Sequence, residues 1–228
     1  MTAGSPTISI IVPVLNEEPS LPDSLQGLQR YRQQGHEVVV VDGGSHDNSL
    51  MLAQQAADQV IVSRPGRAHQ MNSGAQIASG DVLLFLHADT RLPDNALALI
   101  QSVCEAGHHW GRFDVRLSGH RPVFRIIESL INLRSRLSGI ATGDQAIFIQ
   151  AQLFHRLGGF PEIPLMEDVA LSRLLRRQAR PVCLKPAVIT SSRRWEQNGV
   201  VSTVLLMWKL RLLYFLGVSP ARLSRMYR

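Results

Sequence analysis

Residues 7–45 read TISIIVPVLNEEPSLPDSLQGLQRYRQQGHEVVVVDGGS and contain two short β-branched runs with a helical pattern between them. The runs at residues 7–15 and 37–41 each end in turn residues, as strands buried on both faces of a parallel sheet do. Ser20 can cap the intervening helix, whose leucines recur at helical spacing. This stretch therefore predicts a βαβ unit.

The same alternation continues through the rest of the chain. Helices are predicted around residues 49–57, 68–78, 95–106, 123–137 and 168–177, and strands around residues 59–62, 81–87, 110–117 and 145–150. The less regular second half favours a sheet that is completed by antiparallel strands. The predicted fold class is α/β, with a mostly parallel central sheet flanked by helices and a C-terminal apolar helix.

Composition limits the class of protein. The chain has 228 residues, of which 45% are apolar and 18% charged, so it can bury a core and is not a disordered segment. Cys104 and Cys183 lack the spacing of metal ligands or of a disulfide framework, which fits a reducing compartment. Residues 1–6 place no basic segment before the first apolar run, so we expect no secretory signal and a cytoplasmic protein.

The C-terminal part of the chain carries most of the positive charge. The net charge is +6, and from Arg173 onward twelve basic residues face a single acidic one, Glu196. Residues 200–218 are apolar except for Lys209 and Arg211. Three arrangements stay open for this segment: a helix lying against a membrane, a helix packed on the domain or on a second subunit, and a membrane span. Nucleic acid is not expected as a partner, because the basic excess flanks an apolar helix rather than exposed aromatic residues.

Polar and glycine-rich clusters follow several predicted strands. PVLNE occupies residues 13–17 and DGGSHDNS occupies residues 42–49. A glycine lets the backbone approach a ligand closely, and a carboxylate at a strand end can accept hydrogen bonds from a base or a ribose. Neither a G-x-G-x-x-G fingerprint nor a P-loop is present, so hydride transfer and P-loop hydrolysis are poorly supported.

Three further positions are candidates for chemistry. Arg67 stands at a predicted helix start and can hold a phosphate, although a surface arginine is the alternative. Asp89 follows a strand and suits a hard cation, while His87 is a softer ligand or an orienting group. Taken alone, this segment is better explained as a capped turn before the next helix. Glu167 and Asp168 begin another helix, where the helix dipole favours carboxylates for structural reasons alone. One of the two can also serve as a general base.

Taken together, these clusters resemble the family-2 glycosyltransferases with a GT-A fold. The resemblance rests on seven segments in family order: PVLNE (13–17), DGGSHDNS (42–49), GRAHQMNSGA (66–75), FLHADT (85–90), TGDQAIF (142–148), GGFPEIPLMEDVALSRLL (158–175) and SRRW (192–195). The wording of HADT, PLMEDVALS and SRRW is most similar to a bacterial subgroup of small transferases, some of them linked to glycosylation of isoprenoid lipids. The resemblance implies an inverting enzyme that moves a sugar from a nucleotide-diphospho-sugar to a hydroxyl or carboxylate, on a lipid acceptor.

The resemblance also implies roles for individual residues. Asp168 would be the catalytic base supported by Glu167, and Asp89 would hold Mg²⁺ or Mn²⁺ as the final acid of an Asp-x-Asp motif whose first position is His87. Nucleotide-binding roles fall on Pro13, Leu15, Glu17, Asp42, Gly66, Arg67 and Ala88, and donor or acceptor pocket roles on Gly143, Asp144, Gln145, Arg194 and Trp195. The chain departs from the family's Gln-x-x-Arg-Trp motif at Ser191.

The resulting organisation is a GT-A domain over residues 1–197 and a basic, apolar tail over residues 198–228 for membrane docking or dimer packing. Expected partners are a UDP- or GDP-sugar, a lipid acceptor and the anionic inner face of the cell membrane. Two alternatives remain: a non-catalytic nucleotide- or sugar-binding protein, and a nucleotidyltransferase. The latter would need a basic loop rich in glycine and lysine where PVLNEEPS stands.

Overall fold

The computed structural model describes residues 4–227. Residues 1–3 of the predicted domain and residue 228 of the predicted tail lie outside the described residues. The same holds for part of the N-terminal segment in which we expect no secretory signal. One eight-stranded sheet runs in the order β3-β2-β1-β4-β7-β6-β8-β5. Its strands are β1 (Ile8–Val14), β2 (Glu37–Asp42), β3 (Gln59–Val62), β4 (Val82–Phe85), β5 (Thr90–Arg91), β6 (Trp110–Leu117), β7 (Ile147–Gln150) and β8 (Val182–Thr190).

Helices cover both faces of the sheet and continue to the C-terminal end. They are α1 (Leu21–Gln33), α2 (Ser49–Ala56), α3 (Arg67–Ile77), α4 (Ala96–Glu105), α5 (Pro122–Ser138), α6 (Ala151–Arg156), α7 (Glu167–Arg176), α8 (Arg193–Asn198), α9 (Val200–Phe215) and α10 (Pro220–Tyr227). A 3₁₀ turn over Gly143–Gln145 precedes β7.

Strand direction places the candidate residues at one edge of the sheet. β1, β2, β3 and β4 pair in parallel, and β6 pairs in parallel with β8. β7 runs antiparallel to both β4 and β6, so its first residue lies level with the end of β4. The loops after β1, β2 and β4 and the turn before β7 therefore meet at the carboxyl edge, where open α/β sheets bind ligands. The α/β prediction with antiparallel completion is confirmed.

Two apolar layers hold the sheet between the helices. Ile8, Ile10 and Val12 of β1 point into a layer shared with α1 and α4, whereas Ile11 points into the opposite layer with α3 and α7. This alternation follows from the period of two along a strand. With both faces covered, the strands are nearly continuous β-branched runs, which is the pattern found in residues 8–14 and 37–41.

Five elements were not predicted: β5, α6, α8, β8 and α10. β8 escapes detection because Lys185 and Pro186 interrupt its run, and a proline normally argues against an interior strand. The structure accommodates both residues as an irregularity, since Phe113 of β6 pairs with Leu184 and the next residue, Asp114, pairs with Ala187. The bulge lets β8 continue past the proline to Thr190.

The C-terminal helices pack against the domain along one side. Leu210 of α9 and Leu223 of α10 are buried against Met166 and Val169, at the start of α7. Near its own start, α9 contributes Val200 and Val204 to a second cluster with the first half of α5. The inner side of α9 is thus part of the domain core.

None of the helices described between residues 4 and 227 combines the length and the hydropathy needed to cross a bilayer.

Candidate functional site

Backbone strain is concentrated in the loops at the carboxyl edge. Among residues 4–227, three non-glycine residues have a positive φ: Asn16 after β1, Ala146 after the 3₁₀ turn, and Met166 directly before Glu167. Such conformations cost of the order of 1–3 kcal/mol each and persist where the surrounding structure enforces them. Each of the three lies within a segment that contains candidate site residues.

The loop after β1 is tied to the loop after β2. The backbone N–H of Asn16 donates to Ser45 Oγ (2.9 Å), and that of Glu17 donates to Ser49 Oγ (2.8 Å). Buried Gln70 of α3 joins the two strand ends, because its Nε2 donates to the carbonyl oxygens of Val14 (2.8 Å) and Val41 (2.9 Å). Gln70 was not predicted as a site residue.

The predicted nucleotide-binding residues of these loops form a rim that is open to solvent. Leu15 is exposed and Pro13 half-buried. Glu17 lies beside Ser20, whose hydroxyl donates to Glu17 Oε2 (2.6 Å). These positions are compatible with contacts to a bound nucleotide, and their binding role stays a prediction.

Asp42 is buried at the end of β2 and shapes the following turn. Its Oδ2 accepts hydrogen bonds from the backbone N–H groups of Gly44 and Ser45, both at 2.9 Å. Its Oδ1 is buried and has no hydrogen-bond partner among residues 4–227. One carboxylate oxygen thus fixes the loop and the other keeps its acceptor capacity, as the predicted hydrogen bond to a base requires.

Arg67 lies among several ionisable side chains at the carboxyl edge of the sheet. Gly66 precedes it with φ of 130°, a conformation that glycine adopts readily and that starts α3 at Arg67. The Arg67 side chain reaches solvent. Burial among the surrounding groups opposes its charge, but Glu167, Tyr227, Asp168 and Asp89 together hold the pKa of Arg67 above its ordinary value. The structure therefore brings Arg67 close to the Glu167–Asp168 carboxylates, which include the predicted general base, and to Asp89, the predicted metal ligand.

The loop after β4 brings His87 and Asp89 to the same place. Burial lowers the pKa of His87 to about 3, and the charge of Arg67 adds to the effect, so the imidazole is neutral at physiological pH. An added Cβ on Gly143 would lie 2.7 Å from His87 Nε2, which shows that this ring edge packs against the 3₁₀ turn. Asp89 is half-buried and receives a hydrogen bond from the Thr90 hydroxyl (3.3 Å), while Ala88 between them is buried in the core.

Glu167 and Asp168 lie in the first turn of α7. Asp168 is half-buried, and its Oδ2 accepts a hydrogen bond from the Gly143 N–H (2.9 Å) while its Oδ1 accepts one from the Val169 N–H (2.7 Å). Glu167 is buried, and burial raises its pKa to about 7; the negative charge of Asp168 adds to the rise and Arg67 opposes it. When two neighbouring carboxylates lie in different environments, one can act as an acid and the other as a base.

The turn over residues 143–145 is held by its own capping box. The Thr142 backbone N–H donates to Oε1 of the buried Gln145 (3.1 Å). Asp144 is half-buried, and its Oδ1 is buried without a hydrogen-bond partner among residues 4–227. Gln145 therefore has a structural role in this structure, whereas Gly143 contacts His87 and Asp168. The pocket role of Asp144 stays a prediction.

Arg194 and Trp195 point to different surroundings. Trp195 packs in the apolar cluster of Leu117, Phe124 and Ile127. The Arg194 guanidinium lies 3.7 Å from the centre of the Tyr227 ring and donates to the Tyr227 carbonyl oxygen (3.0 Å). Since Tyr227 also acts on Arg67, the C-terminal helix reaches the site, which no sequence motif indicated. The pocket roles of Arg194 and Trp195 stay predictions.

The donor groups available to a metal are few. No group of three or more His, Cys, Asp or Glu side chains with metal-binding geometry occurs among residues 4–227. Mg²⁺ is commonly bound through one or two carboxylates, with substrate phosphates and water completing the shell. Asp89 beside Arg67 fits that type of site, because a bound diphosphate would supply the missing oxygen ligands.

The raised pKa of Glu167 predicts a pH-dependent stability effect. Because the folded protein holds this proton more tightly than the unfolded chain, the contribution of Glu167 to stability is full below about pH 4.5 and is lost as the pH rises through about 7. At pH 8 we expect Glu167→Gln to unfold at a higher temperature than the parent chain, with a gain of at most about 3 kcal/mol.

Thermal unfolding monitored by circular dichroism at pH 5 and pH 8 measures this effect. The stabilisation should shrink at pH 5, where both chains carry a neutral side chain. Glu105→Gln, which removes an exposed carboxylate at the end of α4, is the matched control and should show no such pH-dependent gain. A variant that is less stable than the parent at pH 8 would contradict the prediction.

Sequence relatives share much of the chain but are longer. A transferase from Pseudomonas fluorescens, called undecaprenyl-phosphate 4-deoxy-4-formamido-L-arabinose transferase, is 32% identical over 161 residues, which is 63% of this chain and 46% of that protein. The protein of the same name from Yersinia enterocolitica is 31% identical over 165 residues, or 65% of this chain and 49% of that protein. The chain spans about half the length of these curated relatives.

Solved structures share the fold at low sequence identity. A mannosyltransferase from Pyrobaculum calidifontis, in complex with GDP-Man and Mn²⁺, has a TM-score of 0.62 at 22% identity and covers 82% of this chain and 56% of its own. S. aureus TarS in complex with UDP-GlcNAc has a TM-score of 0.66 at 20% identity and covers 81% of this chain and 58% of its own. These likenesses support the GT-A fold. The sequence profile of glycosyl transferase family 2 matches residues 9–154, most of the sheet and the loops at its carboxyl edge, and the chain belongs to this family.

Proposed function

We propose that this chain is an inverting glycosyltransferase that moves a sugar from a nucleoside-diphospho-sugar to an acceptor carried by a membrane lipid. The observation that carries the proposal is the convergence of Arg67, Asp89 and the Glu167–Asp168 pair at the carboxyl edge of the sheet. The family membership of residues 9–154 supports the same reaction class.

In this proposal the chain's own residues bind the donor and handle the proton. The loops after β1 and β2 hold the nucleoside, and Arg67 places its positive charge beside the diphosphate. When bound at Asp89, Mg²⁺ or Mn²⁺ supplies further positive charge to the diphosphate oxygens. Stabilisation of this kind grows as the leaving group gains charge and therefore accelerates the transfer.

Asp168 is the proposed general base. Its two backbone hydrogen bonds fix the carboxylate relative to the 3₁₀ turn, so the group is oriented before the acceptor arrives. Asp168 takes the proton from an acceptor hydroxyl, which attacks the anomeric carbon opposite the departing nucleoside diphosphate. A single displacement of this geometry inverts the configuration at that carbon.

The proposed location is the inner face of the cell membrane. Along the outer side of α9 and at the residue that follows it, six apolar side chains are each more than half exposed: Val201, Leu205, Trp208, Leu212, Phe215 and Leu216. Lys209 is exposed on the same helix, and basic residues near an anionic leaflet contribute about 1 kcal/mol each. We propose that residues 198–228 dock the enzyme there as a peripheral protein, close to a lipid acceptor.

Calorimetric titration of the full chain with UDP, GDP and their common sugar conjugates tests the proposal. We expect one nucleotide class to bind in the presence of Mn²⁺ and to bind more weakly in EDTA. The bound sugar nucleotide should then donate its sugar to a lipid extract. A folded protein that binds none of these nucleotides would overturn the proposal.

A further inference from the structure

Helix α5, with the residues just after it, and helix α9 both contribute to two apolar clusters near the site. Val123, Phe124, Ile127 and Ile131 of α5 share an apolar cluster with Val200 and Val204 at the start of α9. Ile140, just after α5, packs with Leu206, Met207 and Leu210, further along α9. The start of α5 thus lies with the start of α9, and the chain just after α5 lies with the middle and second half of α9. Ile127 and Val204 both belong to the first cluster, and Arg134 and Arg211 each stand seven residues, about two turns, further along.

Arg134 is connected to the predicted catalytic base by a short chain of contacts. Its Nη2 lies 3.4 Å from Thr142 Oγ1, and the next residue, Gly143, donates its N–H to Asp168 Oδ2 (2.9 Å). The Arg134 Nε is buried and has no hydrogen-bond partner among residues 4–227. The guanidinium thus lies beside the base with donors to spare.

Arg134 and Arg211 form a pair of like charges. Neither makes an ion pair with a carboxylate within the described part of the chain, whereas neighbouring Arg112 pairs with Asp114, which it shares with Arg136. Burial and, to a lesser extent, the positive charge of Arg211 lower the pKa of Arg134 to about 10, although the nearby carboxylates of Asp144 and Asp168 oppose the shift. A bound anion would relieve this repulsion and accept hydrogen bonds from both guanidinium groups.

Exposed apolar side chains lie on both of these helices. Ile126, Leu130, Leu133 and Leu137 of α5 recur at intervals of four, three and four residues, and Val201, Leu205, Trp208 and Leu212 of α9 follow the same intervals. Each of the eight side chains is more than half exposed. An anion site with two apolar rows beside it matches an amphiphile that has one charged head and a hydrocarbon chain.

We propose that Arg134 and Arg211 bind the phosphate monoester head of an isoprenoid-lipid acceptor, whose hydrocarbon chain lies along the exposed apolar rows of α5 and α9. The inference rests on the proposed glycosyl transfer and narrows its acceptor to a lipid monophosphate. The names of the Pseudomonas and Yersinia relatives, which contain undecaprenyl-phosphate, agree with this chemistry.

The corresponding transfer step balances without a further reactant. A non-bridging phosphate oxygen of the acceptor forms a bond to the anomeric carbon. The bond from that carbon to the donor diphosphate breaks, and its electron pair leaves with the nucleoside diphosphate. The acceptor arrives as a monoanion and gives the remaining proton of its phosphate to Asp168.

Direct binding tests the site without relying on catalysis. The full chain, free of nucleotide, is titrated in a calorimeter with geranyl monophosphate, with geraniol and with inorganic phosphate. We expect geranyl monophosphate to bind more tightly than either of the other two, because only this ligand has both the head and the chain. Arg134→Gln and Arg211→Gln should each weaken its binding by about 10- to 100-fold.

Control variants distinguish a specific site from general charge. Arg177→Gln removes the same charge from an exposed position at the end of α7 and should leave binding of geranyl monophosphate unchanged. Arg134→Lys keeps the charge without the forked donors, so it should recover part of the loss. Unfolding temperatures of all variants show whether the fold is retained.

Several outcomes would overturn the inference. They are an absence of geranyl monophosphate binding by the parent chain, equal binding by the parent and both glutamine variants, and equal binding of inorganic phosphate and geranyl monophosphate. If the variants lose UDP or GDP binding to the same extent, the two arginines serve the donor diphosphate instead. If geranyl monophosphate binds through both arginines but no sugar is transferred, the site stands and the proposed transferase function fails.

Discussion

Asp168→Asn is expected to reduce sugar transfer by about 10²- to 10⁴-fold, the range attributable to a positioned acid or base. The substitution keeps the size of the side chain but removes its ability to take a proton. Donor binding should change little, because Asp168 contacts the backbone of the 3₁₀ turn and of its own helix. The measurement pairs initial transfer rates with calorimetric binding of the nucleotide.

In Asp168→Asn the loss of the proton acceptor is accompanied by a change in hydrogen bonding, and the experiment must separate the two effects. An amide has a single acceptor oxygen, so it can satisfy the N–H of Gly143 or that of Val169, but not both as the carboxylate does. A small loss of stability, of about 1–3 kcal/mol for one unsatisfied buried donor, is therefore expected. Asp23→Asn, on an exposed carboxylate of α1, is the control. Equal losses of nucleotide binding and transfer would argue that Asp168 is structural.

The candidate positions that meet at one edge of the sheet are those where a sequence motif and a strand end coincide. Asp42, Asp89 and the Glu167–Asp168 pair each follow a strand or begin a helix, and the sheet topology brings such positions to one edge. Local pattern was sufficient there because the period of two and the turn residues fix which end of a strand a residue occupies. The βαβ start of the chain was predictable for the same reason.

The residues that sequence reasoning missed depend on long-range packing. Arg134 is one of several arginines on an amphipathic helix, and only the placement of α9 brings the charge of Arg211 close to it. In the sequence, Arg211 and Lys209 merely interrupt an apolar segment. Tyr227 is separated from Arg67 by most of the chain, so no spacing rule connects the two. Such contacts become visible only after the C-terminal helices are placed.

The tail also illustrates why a single description of a segment can be too simple. The sequence left a membrane-facing helix, a helix packed on the domain or on a second subunit, and a membrane span as alternatives, and in the structure one side of α9 packs on the domain while the other is exposed. Leu210 is fully buried against the start of α7, while Phe215 is 75% exposed. Deletion of residues 198–228 would therefore uncover Met166 and Val169 as well as remove the exposed row. Substitutions on the outer side are the cleaner way to examine docking.

Asp89→Asn is the second change with a large expected effect, and its target is nucleotide binding rather than proton transfer. A neutral amide is a far poorer partner for Mg²⁺ or Mn²⁺ than a carboxylate. We expect the affinity for the nucleoside diphosphate in Mn²⁺ to fall by about 10- to 100-fold, the range in which even outer-shell partners change metal affinity. Calorimetric titration in Mn²⁺ and in EDTA measures the nucleotide affinity of the same protein with and without metal.

The EDTA arm makes this prediction specific. Without metal, the parent chain and Asp89→Asn should bind the nucleotide almost equally, because Arg67 and the loops after β1 and β2 are unchanged. The variant should also lose the difference between Mn²⁺ and EDTA that the parent shows. Arg67→Gln should behave in the opposite way, weakening binding in both arms, since its charge acts on the diphosphate directly. If Asp89→Asn retains full metal dependence, then the cation is held elsewhere and the assignment of Asp89 is wrong.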